Sequence, residues 1–292
     1  MSLTSFAQHS ITLRIFMKKF HTLIGIIVSF TLMTLISGCG GGTTTDATTG
    51  TATLNLADAP VDAEEVLGVY VAFDAVHYKP AGSQWVVEEL NETRVINLLD
   101  LQDGNSTLLT SQTELPTGRI NQVRFIINYD ASFIELVDGN QSLNVPSNEE
   151  KVVGGFVVPA GGDINITADF DVRKSLVNNG GNYKLKPTIK IVDNSQVGEV
   201  SGTVNFDTNN TVIVYAYTND TFDETQEIAN DFYYAATSSD ATDGDYKLAW
   251  LAAGTYDLVV VELDSNGEVL STHVVQDVVV TEDGKTTQDI SI

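Results

Sequence analysis

The sequence predicts an all-β protein in which two antiparallel β-sandwich domains follow an export signal and a flexible tether. Apolar and polar residues alternate along residues 69–75, 123–129 and 185–191, and a period of two places one row of side chains on a buried face. Clusters of Gly, Asn and Asp separate such segments, while helical patterns are short and few. Short strands without crossover helices favour antiparallel sandwiches over parallel sheets.

Residues 1–38 have the pattern of an export signal peptide. They contain three basic residues and no acid, and an apolar stretch of about 17 residues follows the sequence Met17-Lys18-Lys19. Met17 is therefore the better translation start. A permanent membrane helix is the alternative, but the apolar stretch is at the lower limit for crossing a bilayer, and no basic cluster follows it.

Cys39, the only cysteine of the chain, ends the sequence Leu35-Ile-Ser-Gly-Cys39. This sequence resembles the lipobox of bacterial lipoproteins. The resemblance implies cleavage before Cys39, a diacylglyceryl thioether on its sulfur, and an acyl chain such as palmitate on the new amino end. Several acyl chains anchor a protein stably, because each buried CH2 contributes about 0.8 kcal/mol. Gly40 replaces the aspartate associated with inner-membrane retention, so the resemblance favours the outer membrane.

The predicted mature chain, residues 39–292, is strongly acidic. Three of the 15 basic residues fall in the signal peptide, so 12 remain against 39 acidic residues, which is a formal charge of −27. Nucleic acids and anionic membrane surfaces attract basic proteins, so neither is an expected partner of the folded part. Residues 39–50 are rich in Gly and Thr, which predicts a flexible tether that carries the lipid.

A domain boundary is predicted at the polar sequence Asp193-Asn-Ser-Gln196, because a new series of strands begins near Val200. The two predicted sandwiches are residues 51–194 and 197–292. The remaining local patterns predict three short helices and three hairpin turns. The helices cover residues 61–66, 98–110 and 171–177, and the turns cover residues 137–141, 264–268 and 283–287.

Five segments of the first half carry a family resemblance. They are LNLADAPVD (54–62), VYVAFDAVHYK (69–79) followed by Trp85, VINLLDLQDG (95–104), ELPTGRINQVRFII (114–127), and DFDVRKSLV with YKLKPTIKIV (169–192). In this order they resemble a family of bacterial and archaeal lipoproteins known only as domain of unknown function 4382. None of the segments carries a catalytic motif, so the resemblance implies no activity.

The second half contains the segments VSGTV (200–204) and TDGDYKLAWLAAGTYDLVVV (242–261). They resemble the carboxypeptidase-regulatory-like, transthyretin-like sandwiches. The resemblance implies an accessory module that acts as a spacer or an adhesive unit. Strand alternation places Tyr256 and Leu258 on its core face.

Histidine and thiol chemistry have few carriers in the mature chain. Its two histidines, His77 and His273, lie far apart in strand-like segments, and no sequence of the type His-Glu-x-x-His or Gly-x-Ser-x-Gly occurs. Metal ligands and catalytic groups come in clusters, so both histidines are interpreted as strand-end or surface residues. We expect no catalytic residue and no cofactor.

Asp240, Asp243 and Asp245 are the candidates for a calcium site. Calcium binds six to eight oxygen atoms, which three clustered carboxylates and nearby carbonyl groups can supply. Their spacing does not match the EF-hand loop. The alternative is that they are turn acids on a solvated loop.

Two further groups suggest binding surfaces. Aromatic residues at 215, 217, 233, 234 and 250 would stack on sugar rings if exposed, but we interpret them as core residues. Lys184, Lys186 and Lys190 are predicted to share one strand face, just downstream of Arg173 and Lys174. This face is a candidate docking surface for an acidic partner, such as the second domain; a solvated outer face is the alternative.

The leading hypothesis is an envelope-anchored lipoprotein that binds or scaffolds without catalysis, with an envelope protein or polysaccharide as partner. The first alternative is a carbohydrate-active or other hydrolytic enzyme that uses carboxylates. The second is an adhesin or fimbria-like subunit whose edge strand pairs with a partner strand. A deep pocket with converging carboxylates would favour the enzyme, and an exposed edge strand or aromatic surface would favour binding.

Overall fold

In the computed structural model, residues 47–59, 66–144, 149–206 and 210–292 are described. Strands dominate these residues and most strand pairs are antiparallel, which confirms the all-β fold class. The signal peptide, Cys39, most of the tether and most of the predicted helix at 61–66 lie outside the described residues. The first strand begins at Thr49, so the last two residues of the predicted tether, 49 and 50, belong to a strand.

The first half of the chain packs two larger sheets and a small hairpin around one apolar core. The seven-stranded sheet has the order β7-β6-β2-β5-β8, and the four-stranded sheet has the order β13-β10-β1-β4 in the numbering below. In the larger sheet β3 also pairs with β2, and β9 pairs with β5; β11 and β12 form the hairpin. The strands are β1 (Thr49–Ala59), β2 (Val66–Pro80), β3 (Val86–Asn97), β4 (Thr107–Pro116), β5 (Gly118–Ile127), β6 (Phe133–Leu136), β7 (Gly139–Ser142), β8 (Glu149–Val153), β9 (Val157–Val158), β10 (Asp163–Asp171), β11 (Leu176–Asn179), β12 (Asn182–Leu185) and β13 (Ile189–Asp193).

Three phenylalanines join the two sheets of the first half. Phe73 and Phe125 come from the seven-stranded sheet and Phe170 comes from the four-stranded sheet. Their ring centroids lie 5.9–6.1 Å apart in edge-to-face arrangements. Such pairs contribute about 0.5–1.5 kcal/mol beyond the area they bury, so this triad holds the sandwich together.

The second half forms two further four-stranded sheets. One has the order β17-β14-β20, with β21 also paired to β14, and the other has the order β16-β15-β18-β19. The strands are β14 (Val197–Asn205), β15 (Thr211–Thr218), β16 (Thr237–Asp240), β17 (Asp245–Ala252), β18 (Gly254–Leu263), β19 (Val269–Val280), β20 (Lys285–Thr287) and β21 (Ile290–Ser291). The helices of the described chain are α1 (Val172–Ser175) and α2 (Glu224–Ala229), with 3-10 turns at Leu98–Leu101, Tyr129–Ala131 and Asn194–Gln196.

The central strands of the second half are buried on both faces. In β15, Val212 and Val214 face the main core with Leu258, while Tyr215 and Tyr217 face a second cluster covered by Phe232. Burial on both faces explains why these strands read as nearly continuous apolar runs. Tyr256 and Leu258 are buried in the main core, as predicted.

Three strand pairings differ from the predicted antiparallel pattern. β1 runs parallel to β10, and β14 runs parallel to both β20 and β21. Hairpin turns impose antiparallel pairing only on strands that are close in sequence. More than 70 residues separate the members of each parallel pair, so their direction depends on the path of the whole chain.

The predicted helices at 98–110 and 171–177 are wrong in length. The first is a single 3-10 turn, which ends before Asp103 and Gly104, whose φ angles of 56° and 73° are left-handed. The second is the one-turn helix α1. There Asp171 accepts a hydrogen bond from the Lys174 amide, and the chain then becomes extended at Leu176 to pair with β12.

The predicted hairpin turns at 137–141 and 264–268 are confirmed, since they connect β6 with β7 and β18 with β19. The third, at 283–287, is wrong. Its last residues form β20, which pairs with β14 rather than with the preceding β19. This turn therefore carries the chain from one sheet to the other.

The strand ladders of the described residues divide at the predicted boundary. Among the described residues, each strand ladder joins strands on the same side of residues 194–196, and each half has apolar clusters of its own. Ala47–Ile292 nevertheless form one compact unit. Independent folding of residues 51–194 and 197–292 therefore stays a prediction.

Candidate functional site

An aromatic residue surrounded by cations lies on the outer face of the seven-stranded sheet. Trp85 follows the turn between β2 and β3 and is half-buried. The Arg124 guanidinium carbon lies 4.4 Å from the Trp85 ring centroid, and the Lys79 ammonium nitrogen lies 5.7 Å from it. The His77 ring is 6.5 Å away, centroid to centroid. We call these four residues the Trp85 surface.

Strand alternation explains how the sequence builds the Trp85 surface. In β2, Val76 and Tyr78 are fully buried, so His77 and Lys79 face the opposite side of the sheet. Antiparallel pairing then places Arg124 of β5 directly opposite His77. Lys79 also donates a hydrogen bond of 2.8 Å to the Ser83 carbonyl, which closes the turn that positions Trp85.

The four residues of the Trp85 surface are each half-buried, and an exposed apolar residue lies beside them. Val87, which pairs with His77 across the sheet, is 48% exposed and adds an apolar patch beside the cations. Cations over a tryptophan face are attracted by the ring quadrupole, by about 0.5–1 kcal/mol each at exposed positions. The sequence alone predicts His77 as a strand-end or surface residue without partners. The pairing of β2 with β5, which places Arg124 opposite His77, could not be read from the sequence.

The three calcium candidates lie together in an open cleft of about 720 Å³. Asp240 accepts a hydrogen bond from the Thr242 amide, and Asp243 accepts one from the Asp245 amide. These bonds are typical of turn acids. Within the described ranges, no group of three His, Cys, Asp or Glu side chains is placed to hold a metal ion. Calcium binding stays a hypothesis without a coordinating geometry.

The cleft also contains Asp103, a residue of the first half that sequence reasoning missed. Burial raises the pKa of the Asp103 carboxyl, and the nearby charges of Asp240 and Asp243 raise it further, against a lowering hydrogen bond from Ser239. That bond, from the Ser239 hydroxyl, is 2.7 Å long. The carboxylates of Asp103, Asp240, Asp243 and Asp245 therefore line one cleft at the junction of the two halves.

The basic residues near α1 hold the two halves together. Arg173 donates to the carbonyl groups of Asp231 and Phe232, and Lys174 donates to the Ala235 carbonyl at 2.7 Å. The Arg173 side chain is largely buried and lies 5.6 Å from the Tyr215 ring centroid. Hydrogen bonds from a charged donor are among the stronger ones, so these contacts fix α1 against the second half. We call Arg173 and Lys174 the α1 clamp.

The prediction that Lys184, Lys186 and Lys190 share one strand is wrong. Lys184 is in β12, Lys186 is in the following loop, and Lys190 is in β13, which belongs to another sheet. Pro187 has no amide hydrogen and interrupts the ladder between them. Lys190 alone reaches the second half, with its ammonium 3.3 Å from the Trp250 carbonyl. A docking role for Lys184 and Lys186 stays a prediction.

The aromatic residues of the second half divide into two groups. Tyr215 and Tyr217 are buried, which confirms their interpretation as core residues. Tyr233 and Tyr234 are 47% and 57% exposed, so their interpretation as core residues is wrong. They follow α2 in the loop that the α1 clamp contacts, and the polar carbonyl groups of that loop are directed at Arg173 and Lys174.

The comparisons with known proteins bear mainly on the first half. Residues 49–187 match the family described as a domain of unknown function, DUF4382. The match covers slightly less than half of the chain and supports the resemblance found in the sequence. No curated protein sequence matches the chain. No helix of the described residues is long and apolar enough to cross a membrane.

Several solved structures are similar at low identity. A leucine-rich repeat protein from Bacteroides thetaiotaomicron is 15% identical, with 84% of this chain and 26% of that chain covered and a TM-score of 0.21. The Bacillus anthracis TIE protein is 11% identical (83% and 34% covered, TM-score 0.20). The minor pilin of Streptococcus agalactiae is 10% identical (82% and 94% covered, TM-score 0.19). The chain spans about a quarter and a third of the first two, and TM-scores this low carry no argument about function.

Proposed function

We propose that the protein is an envelope lipoprotein, anchored through Cys39, that binds an envelope component without catalysis through the Trp85 surface. The observation that carries this proposal is the half-buried Trp85 ring flanked by Lys79 and Arg124. Aromatic stacking and charge complementarity recognise a ligand without making or breaking a bond. The lipobox at residues 35–39 supports the anchoring, and its resemblance favours the outer membrane.

Binding is tested by co-sedimentation of the purified mature chain with protein-free envelope polysaccharide. We expect the chain to sediment with this material and Trp85→Ala to remove most of the binding. Tyr234→Ala is the matched control, because Tyr234 is an exposed aromatic residue of the other half. Equal binding by the Trp85→Ala and wild-type chains would refute the proposed surface.

Anchoring is tested separately by metabolic labelling with a tagged fatty acid. We expect label on the wild-type chain and none on Cys39→Ser, whose hydroxyl cannot form the thioether. Persistent labelling of Cys39→Ser would contradict the lipoprotein assignment and leave the binding proposal to be judged by the first experiment.

A second candidate function, that of an adhesin or fimbria-like subunit whose edge strand pairs with a partner strand, is favoured by β19. This strand has 12 residues, lies at the edge of its sheet, and exposes Leu270, Val274 and Val279. An unpaired edge presents amide and carbonyl groups to an incoming strand. Hydrogen exchange at residues 269–280, slowed by a partner, is the measurement that would support it.

A further inference from the structure

We infer that two exposed tyrosines of the second half, Tyr233 and Tyr234, form a docking surface for a basic polypeptide segment, whose lysine or arginine side chains contact the ring faces. The inference goes beyond the proposed function, because it adds a second surface with a partner of another class. We call Asp231, Tyr233 and Tyr234 the Tyr234 surface. Its two tyrosines are 47% and 57% exposed, and their ring centroids lie 5.4 Å apart in a nearly perpendicular arrangement.

The backbone that presents the Tyr234 surface is held in a strained conformation. Asp231 and Phe232 have left-handed φ angles of 51° and 54°. An aromatic residue adopts such an angle only where its surroundings impose it. Phe232 is buried with its ring stacked on Tyr215, 4.6 Å between centroids, and Arg173 binds its carbonyl group. The backbone of the two tyrosines is therefore fixed before a partner arrives, which reduces the entropy lost on binding.

The chain itself places a cation on this surface. The Lys174 ammonium nitrogen lies 5.7 Å from the Tyr233 ring centroid, where the ring quadrupole attracts it. The Asp171 carboxylate, 2.9 Å from the same ammonium, compensates its charge. Tyr234 is the more exposed ring, and none of the described residues places a cation over it. Its face is therefore available to a cation of a partner.

The second half attracts cations because it is strongly acidic. Residues 197–292 contain 18 acidic and two basic residues, a formal charge of −16. Close to the Tyr234 surface in the chain, the acidic residues Asp223 and Asp231 are exposed. The buried Glu227 carboxylate accepts a hydrogen bond of 3.3 Å from the Tyr234 amide, which places a negative charge behind the surface. Opposite charge then steers a basic segment to this region.

A basic polypeptide fits the Tyr234 surface better than a metal ion or an acidic glycan. Lysine and arginine side chains combine an apolar stem with a charged end, so they can pack against a ring and meet nearby carboxylates at the same time. A hydrated metal ion makes no use of the exposed rings. An acidic glycan would be repelled by Asp223 and Asp231.

The test titrates the mature chain with octalysine, and uses octalysine with acetylated side chains as a neutral probe of the same length. Amide signals in NMR spectra report where each probe binds and how tightly. We expect octalysine to shift the amides of residues 231–235. Binding of the acetylated probe should be at least about tenfold weaker, and octalysine should bind more weakly as salt is raised.

Variants of Tyr234 test the contribution of the ring face. Tyr234→Phe retains the ring and should bind octalysine as the wild-type chain does. Tyr234→Leu retains only apolar area and should bind at least about threefold more weakly. Tyr129→Leu alters an exposed aromatic residue of the first half and is the matched control, with unchanged binding.

A charge variant tests the acidic surroundings. Asp231→Asn should weaken octalysine binding at least about twofold, because it removes a charge from a position whose left-handed backbone asparagine tolerates. Glu268→Gln removes the same charge from an exposed turn of the same half and should leave binding nearly unchanged. Asp231→Asn remains informative if Tyr234→Leu alters the loop.

The outcomes are distinct from those that test the proposed function. Equal affinity of octalysine for the wild-type and Tyr234→Leu chains would overturn the inference, as would shifts confined to other parts of the chain or equal binding of the acetylated probe. Loss of envelope-polysaccharide binding by Tyr234→Ala would assign the surface to a glycan and would overturn it too. Trp85→Ala should bind octalysine normally, whatever its effect on polysaccharide binding.

Discussion

Asp169 is a buried carboxylate whose charge is only partly compensated. It lies in β10, where register places it opposite Ala57 on one side and Lys190 on the other. Burial raises the pKa of the Asp169 carboxyl to about 6, against the lowering effect of the Lys190 ammonium, which is 3.6 Å away. Lys190 also reaches the Trp250 carbonyl, so this carboxylate belongs to the junction between the halves.

The raised pKa of Asp169 predicts a pH dependence of stability. Between about pH 4 and pH 6 the folded chain binds this proton more tightly than the unfolded chain, so this group makes stability fall as the pH rises. We expect Asp169→Asn to remove about 1–3 kcal/mol of that fall between pH 4 and 7. Urea unfolding across this range measures it, and Asp138→Asn, an exposed turn residue, is the control. Identical pH slopes for the wild-type and Asp169→Asn chains would contradict the prediction.

At the scale of the element, β19 shows how an edge strand is interrupted. A register shift lies between Tyr256 and Leu258 of β18, and Asp277 of β19 has a left-handed φ of 62°. The buried Asp257 accepts hydrogen bonds from the amides of Asp277 and Asp220, which fixes this bulge. Bulges twist edge strands and limit unwanted pairing, so we expect this bulge to limit pairing of β19 with a partner strand.

We predict that Asp257→Ala destabilises the protein by about 1–3 kcal/mol, because two amide groups lose their acceptor. Hydrogen exchange should accelerate at the carboxyl end of β19, and self-association of the chain should increase. Asp257→Asn retains a carbonyl acceptor and should lose less. Denaturant unfolding and sedimentation velocity measure these effects. Unchanged stability of Asp257→Ala would show that the bulge does not depend on Asp257.

At the scale of the whole molecule, polar contacts join the apolar clusters of the two halves. Within the described residues no strand ladder crosses residues 194–196, whereas Arg173, Lys174 and Lys190 bind carbonyl groups of the second half. Ser239 adds a hydrogen bond to Asp103. Such contacts fix the orientation of one half relative to the other while the apolar cores stay separate. The α1 clamp and the cleft residues Asp103 and Ser239 therefore determine this orientation.

We predict that residues 51–194 and 197–292 fold separately, because each contains its own sheets and core. Each fragment should give dispersed amide signals in NMR spectra. Addition of the first to the second should shift the amides of Phe232, Tyr233 and Ala235, which lie at the clamp. The same fragment with Arg173→Ala should shift them less. A fragment without dispersed signals would mean that the halves depend on each other to fold.

The sequence alone determined the fold class, the anchoring hypothesis and the core strands. Period-two alternation predicted the strands around residues 69–75 and 123–129, because one buried face imposes that period on any sequence. The hairpin turns at 137–141 and 264–268 were predictable for a similar reason, since turn residues act through local backbone preferences. The family resemblance of the first half rested on the order of its segments and is supported by the match over residues 49–187.

Only the tertiary structure decided which distant side chains meet. Arg124 reaches Trp85 because β5 pairs with β2, and Asp103 joins Asp240 and Asp243 because the halves are docked; neither contact leaves a local signal in the sequence. Likewise the three lysines that appear to share a strand are separated once Pro187 ends the ladder. Alternation records which face of a strand is buried, whereas strand order and docking depend on packing over the whole chain, and these place the Trp85 surface and the junction.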